Sequence, residues 1–112
     1  TMQFVNLQDM NLRLSGVTKV CIALAGLDTL DLRDCYRLQH LSLDCPKLVT
    51  LHLQGCTKLK TEVVEQVVKD SPVLEEIDLR EMPQLSPASL SRIQTLCSTL
   101  RRIYTSTVSD LI

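Results

Sequence analysis

Five copies of one pattern run through this 112-residue chain, and they constrain its course more than any other feature. The segment Leu27-x-x-Leu30-x-Leu32-x-x-Cys35-x-x-Leu38 returns as Leu48-x-x-Leu51-x-Leu53-x-x-Cys56-x-x-Leu59, matched at all six positions with an offset of 21. A third copy, Leu74-x-x-Ile77-x-Leu79-x-x-Met82-x-x-Leu85, puts methionine in the cysteine slot. A fourth begins Leu100-x-x-Ile103-x-Thr105, with Val108 in that slot and Leu111 in the last leucine slot. Leu7-x-x-Met10-x-Leu12 is a weaker copy upstream, so successive starts are 20, 21, 26 and 26 residues apart. Leucine supplies 21 of the residues, and its excess is periodic.

The central L-x-L of each copy reads as a short strand, with both leucines on one face and the middle residue on the other. One turn of chain cannot bury its leucines alone, so turns must stack and share a core. The pattern resembles the leucine-rich repeat, which implies an α/β solenoid of about five coils with a parallel concave sheet, one domain over residues 1–112. Between the main strands, Val17-x-x-Val20-x-Ile22-x-Leu24 and Leu38-x-x-Leu41-x-Leu43-x-Cys45 read as second short strands. The return arcs of the first coils are therefore expected to be extended.

The longer coils carry helices. Val63, Val64, Val67 and Val68 mark one face of a helix between Thr61 and Lys69, stopped by Asp70-Ser71-Pro72. Ser86 as N-cap and Pro87 at the first position open a second helix, with Leu90, Ile93, Leu96 and Cys97 expected inward.

Composition removes several classes of function. The chain is 45% hydrophobic and 22% charged, so it is expected to fold. A net charge of −1 gives no electrostatic case for a nucleic-acid partner or a polybasic membrane surface. No apolar run reaches the roughly 18–20 residues of a membrane helix, and no signal peptide is read.

With Cys35 and Cys56 in the turn slot, the copies resemble the cysteine-containing class of leucine-rich repeats. Leu43-Asp44-Cys45-Pro46-Lys47-Leu48 and Leu53-Gln54-Gly55-Cys56 resemble stretches common in F-box leucine-rich-repeat proteins. That resemblance implies a repeat region holding a substrate for ubiquitination by a cullin-type ligase. No F-box is read in these residues, so a ligase adaptor would be bound by another part of a longer parent chain. Residues 1–6 are not a polar cap, and the chain is accordingly expected to be a piece of that parent. The other reading is a scaffolding repeat segment of a larger assembly, without a ligase role.

The five cysteines contain no C-x-x-C, so zinc is unsupported. Cys35, Cys45 and Cys56 fall on inward slots, where reduced thiols can act as weak donors to turn carbonyls. An odd count with apolar neighbours suits a reducing compartment, cytosol or nucleus. His40 reads as a solvated residue of the connecting arc. Neither it nor His52 has the neighbours of a catalytic triad, and no phosphate loop exists, so neither enzyme activity nor a cofactor is expected.

What remains is the concave face, as a site for a protein partner or substrate peptide. Its central column reads Asn11, Asp31, His52, Asp78 and Tyr104. One flank reads Arg13, Arg33, Gln54 and Arg80; the other reads Asp9, Thr29, Thr50, Glu76 and Arg102. The acids beside the arginines offer bidentate donors and acceptors to a polar peptide. Equally, Asp31 can pair with Arg13 or Arg33 and do no more, exposed pairs being worth about 0–1 kcal/mol. Tyr104 is the best single anchor, or else a cap over the last strand. Five strands span roughly 24 Å. The resulting patch, on the order of 250 Å², falls short of the usual 800 Å² or so per partner.

Overall fold

The computed structural model of the protein describes residues 8–106. Within them the centre of each copy becomes a three-residue strand that ends at the middle residue of the L-x-L or its equivalent. Strands β1 (Asp9–Asn11), β3 (Thr29–Asp31), β5 (Thr50–His52), β6 (Glu76–Asp78) and β7 (Arg102–Tyr104) form one parallel sheet in the order β1-β3-β5-β6-β7. The register joins equivalent repeat positions: Met10, Leu30, Leu51, Ile77 and Ile103 lie side by side. A second parallel pair, β2 (Lys19–Ile22) with β4 (His40–Leu43), comes from the intervening apolar triplets. Two helices, α1 (Thr61–Lys69) and α2 (Pro87–Leu96), occupy the longer connections and complete an α/β domain.

The core is the repeat itself. All eight leucines of the two best-matched copies are fully buried, and so are Cys35 and Cys56. Met10 and Ile103, in the outer strands, and Leu12 and Leu100 beside them, are half-buried because each has a neighbouring layer on one side only among the described residues. The slots assigned to Leu7, Val108 and Leu111 lie outside the described residues.

Helix α1 is poor in intrinsic propensity, with four β-branched valines, so its stability must come from packing. Val64, Val67 and Val68 are buried and Val63 is half-buried. Ser71 ends the turn that follows, its Oγ donating to the Val67 carbonyl at 2.7 Å. In α2, the Ser86 Oγ accepts from the Ser89 N–H at 3.2 Å, the expected N-cap. Two details of its inner face differ from the sequence reading. Cys97 lies at the C-cap, beyond the helix, and Ser89 is buried beside Ile93. A small residue in the first turn lets the helix approach the core, something apolar periodicity does not register.

After β1, β3, β5 and β6 the chain turns through a left-handed residue: Leu14, Asp34, Gly55 and Glu81 have φ of 59°, 61°, 80° and 58°. All four precede the cysteine slot or its equivalent. Only Gly55 is built for that geometry, and a Cβ there would also run into the Asp34 carboxylate. Gly55→Ala is therefore expected to cost about 1–2 kcal/mol. Gly16, with nothing within 4 Å of such a Cβ, is the control. Paired thermal melts of Gly55→Ala and Gly16→Ala test this, and equal shifts would reject it.

Candidate functional site

The face of the sheet away from the leucines carries the predicted column in register: Asn11, Asp31, His52, Asp78, Tyr104. The two acids are not presented outward. Asp31 is only 7% exposed and Asp78 3%. Each folds back over its own strand end. Asp31 Oδ1 accepts from the Arg33 N–H and Nε, both at 3.0 Å, and Oδ2 from Nη2 at 2.6 Å. Asp78 treats Arg80 the same way, at 3.1, 3.0 and 2.6 Å.

These carboxylates cap the turn and clamp the arginine, so the acids are not free acceptors for a peptide. The pairing runs along one strand, residue i to i+2, and not across strands to Arg13. Burial opposes ionisation of both acids. Hydrogen bonds from the arginine side chain and backbone outweigh it, and both carboxyls are held below their ordinary value.

The other positions divide by what the fold leaves them. Asn11 Oδ1 caps the Arg13 N–H at 2.9 Å, the neutral version of the same device. His52 does not: its buried Nδ1 has no hydrogen-bond partner among the described residues. Its positive form would lie between two carboxylates, and its charge helps to hold both acids down. Gln54 reaches Glu81, Nε2 to Oε2 at 3.3 Å, and exposed Arg13 lies 3.9 Å from Asp34.

Arg80 stands 5.7 Å from the centre of the Tyr104 ring, a cation–π arrangement on top of its bidentate clamp. Tyr104 remains 39% exposed, and hydrogen bonding to Glu76 raises its phenol above the ordinary value. Arg102, beside Glu76 in register, is exposed. The outward chemistry is therefore the free edges of Arg33 and Arg80, with His52, Gln54, Arg102 and the Tyr104 ring.

Behind the sheet, thiols tie one turn to the preceding one. Cys35 and Cys56 each donate at 3.0 Å to a strand-end carbonyl, of Leu12 and Leu32 respectively. Cys45 points to the Ile22 carbonyl at 3.8 Å and Cys97 to that of Ser71 at 3.3 Å. Met82 has no S–H to give. In its turn Gln84 donates instead, to the Cys56 and Leu59 carbonyls at 3.0 and 2.7 Å.

Sequence reasoning missed Gln84, and missed Asp34 and Glu81 as turn residues. The methionine in a cysteine slot was the available signal for the first, and alignment with Gly55 for the others. All five thiols are free, and burial raises those of Cys35 and Cys45 and pushes Cys56 up to about 12. Only Cys21 is exposed. A thiol reagent at pH 8 is expected to modify Cys21 quickly and the other four at the rate of unfolding. Two or more fast thiols in the native protein would contradict that burial.

No group of histidine, cysteine and acidic side chains among the described residues can hold a metal ion. No helix there is long and apolar enough to cross a membrane. No family model, curated protein or solved structure matches the chain.

Proposed function

We propose that the chain is a leucine-rich-repeat solenoid segment serving as a protein-interaction module, the substrate-recognition repeats of a cullin-type ubiquitin ligase receptor. The observation that carries the interaction role is the parallel register, which aligns one column of polar side chains over five strands, on the face away from the leucines. The ligase assignment draws on the likeness of the cysteine-slot repeats to F-box leucine-rich-repeat proteins. In this reading the binding surface consists of Arg33, Arg80, His52, Gln54, Arg102 and Tyr104, completed by neighbouring parts of the parent protein.

The scaffolding reading gains from one feature: the column acids are consumed by the turns they cap. A direct test compares the parent protein with a variant carrying Arg102→Glu and Tyr104→Ala, both at exposed positions whose loss leaves the core intact. Expected are captured proteins that are lost with the variant and accumulate in cells when cullin ligases are inhibited. Partners indifferent to both changes would favour the scaffold.

A further inference from the structure

Away from the sheet face, on the connecting arc, four cationic side chains and a histidine fall where the extended connection gives way to a helical one. A cleft of about 490 Å³ opens there between the start of β4 and the start of α1, lined by Gln39, His40, Lys58, Lys60 and Val63. A strand and a helix differ in girth, about 4.8 Å against 8–10 Å per layer, so they cannot lie flush. Lys19 faces outward beside His40 in the β2–β4 register. Arg37 holds the place in its own turn that Lys58 holds in the next.

No acidic residue lines the cleft, and none of these five side chains makes an ion pair among the described residues. That sets them apart from Arg13, Arg33, Arg80 and Arg92, each with a carboxylate partner within 4 Å. Of the eight lysines and arginines with no ion pair among the described residues, Lys58 and Lys60 line this cleft, Lys19 stands in register with its His40, and Arg37 holds the equivalent place one turn earlier.

We propose that this cleft binds the phosphate monoester of a phosphorylated side chain on a protein partner. The charged donors lining it are Lys58 and Lys60, compact ammonium groups that bind phosphate oxygens as point charges, with His40 beside them, while Arg33 and Arg80 are held by their own carboxylates on the sheet face. A phosphate monoester brings close to two negative charges and three acceptor oxygens, enough to engage Lys58, Lys60 and His40 together. Val63, half-buried at the back of the cleft, offers apolar contact to the residue carrying the phosphate. The site stands apart from the sheet face and does not depend on the role proposed for it.

The test is an amide chemical-shift titration of the whole chain, at about 0.15 M salt where long-range attraction is screened. The probes are a five-residue phosphoserine peptide flanked by alanines, the same peptide without phosphate, and inorganic phosphate. Saturable shifts centred on His40, Lys58 and Lys60 are expected with the phosphopeptide only. Lys58→Gln with Lys60→Gln should weaken it at least about tenfold, with the thermal melt unchanged because both residues are exposed.

Equal response to both peptides, or full binding by the double variant, would overturn the site. Binding of inorganic phosphate as tight as that of the phosphopeptide would overturn the protein partner as its source.

Discussion

Replacing Leu53 by alanine is expected to lower the stability of the domain by about 2–5 kcal/mol, more than any change on the polar face. Leu53 is fully buried in the central layers, with Leu32 and Leu79 in the equivalent slots on either side. The cavity cannot be filled by collapse, because those neighbours are fixed by the register of their own strands. For a domain of this size the loss corresponds to a melting shift on the order of 10 °C or more, enough to unfold a marginal protein. Leu14→Ala supplies the contrast, since Leu14 is 66% exposed and its loss should fall within about 0.5 kcal/mol. Urea titrations of the two variants measure both quantities. Similar midpoints would mean that the layers are assigned wrongly.

The second large effect is expected at Asp78. Asp78→Ala removes the acceptor for the Arg80 N–H and for its guanidinium. Arg80 is exposed, so water screens the charge it leaves behind, and the loss is chiefly that of the buried cap. About 1–3 kcal/mol is expected. That range lies above the roughly 0–1 kcal/mol of an exposed pair, the alternative that the sequence leaves open for Asp31.

The same geometry fixes the pH dependence. The native pKa values of Asp31 and Asp78 are depressed, so their contribution is fully present above the ordinary carboxyl value, about 3.9. It is lost as pH falls through the lower native values. Stability should therefore drop on acidification below about pH 4, and the drop should be smaller in an Asp31→Asn, Asp78→Asn variant. An unchanged acid limb in that variant would remove the carboxylates from the account.

The placement of these residues was legible in advance because leucines two apart leave no freedom of register. Asn11, Asp31, His52, Asp78 and Tyr104 stand in one column for that reason alone. Their chemistry was less legible, since period-two reasoning assigns a face and says nothing of how the chain turns next. The turn exposes the N–H two residues on, and an aspartate at the strand end bends back to take it. The repeated Asp-Leu-Arg of residues 31–33 and 78–80 carries that information.

The left-handed turns were hidden for a related reason. Leu14, Asp34 and Glu81 adopt a conformation that only Gly55 advertises, because the stacking of neighbouring turns imposes it on whatever residue stands there.

The change from strand to helix on the arc also governs how the sheet can meet a partner. Where β2 and β4 back β1 and β3, front and back advance by the same 4.8 Å or so per layer. Beyond β5, α1 and α2 need about 8–10 Å against the same advance in front. Equal advance on both sides favours a flat front, and a larger advance behind favours a curved one. Repeat length, 20–21 residues against 26, sets where one gives way to the other.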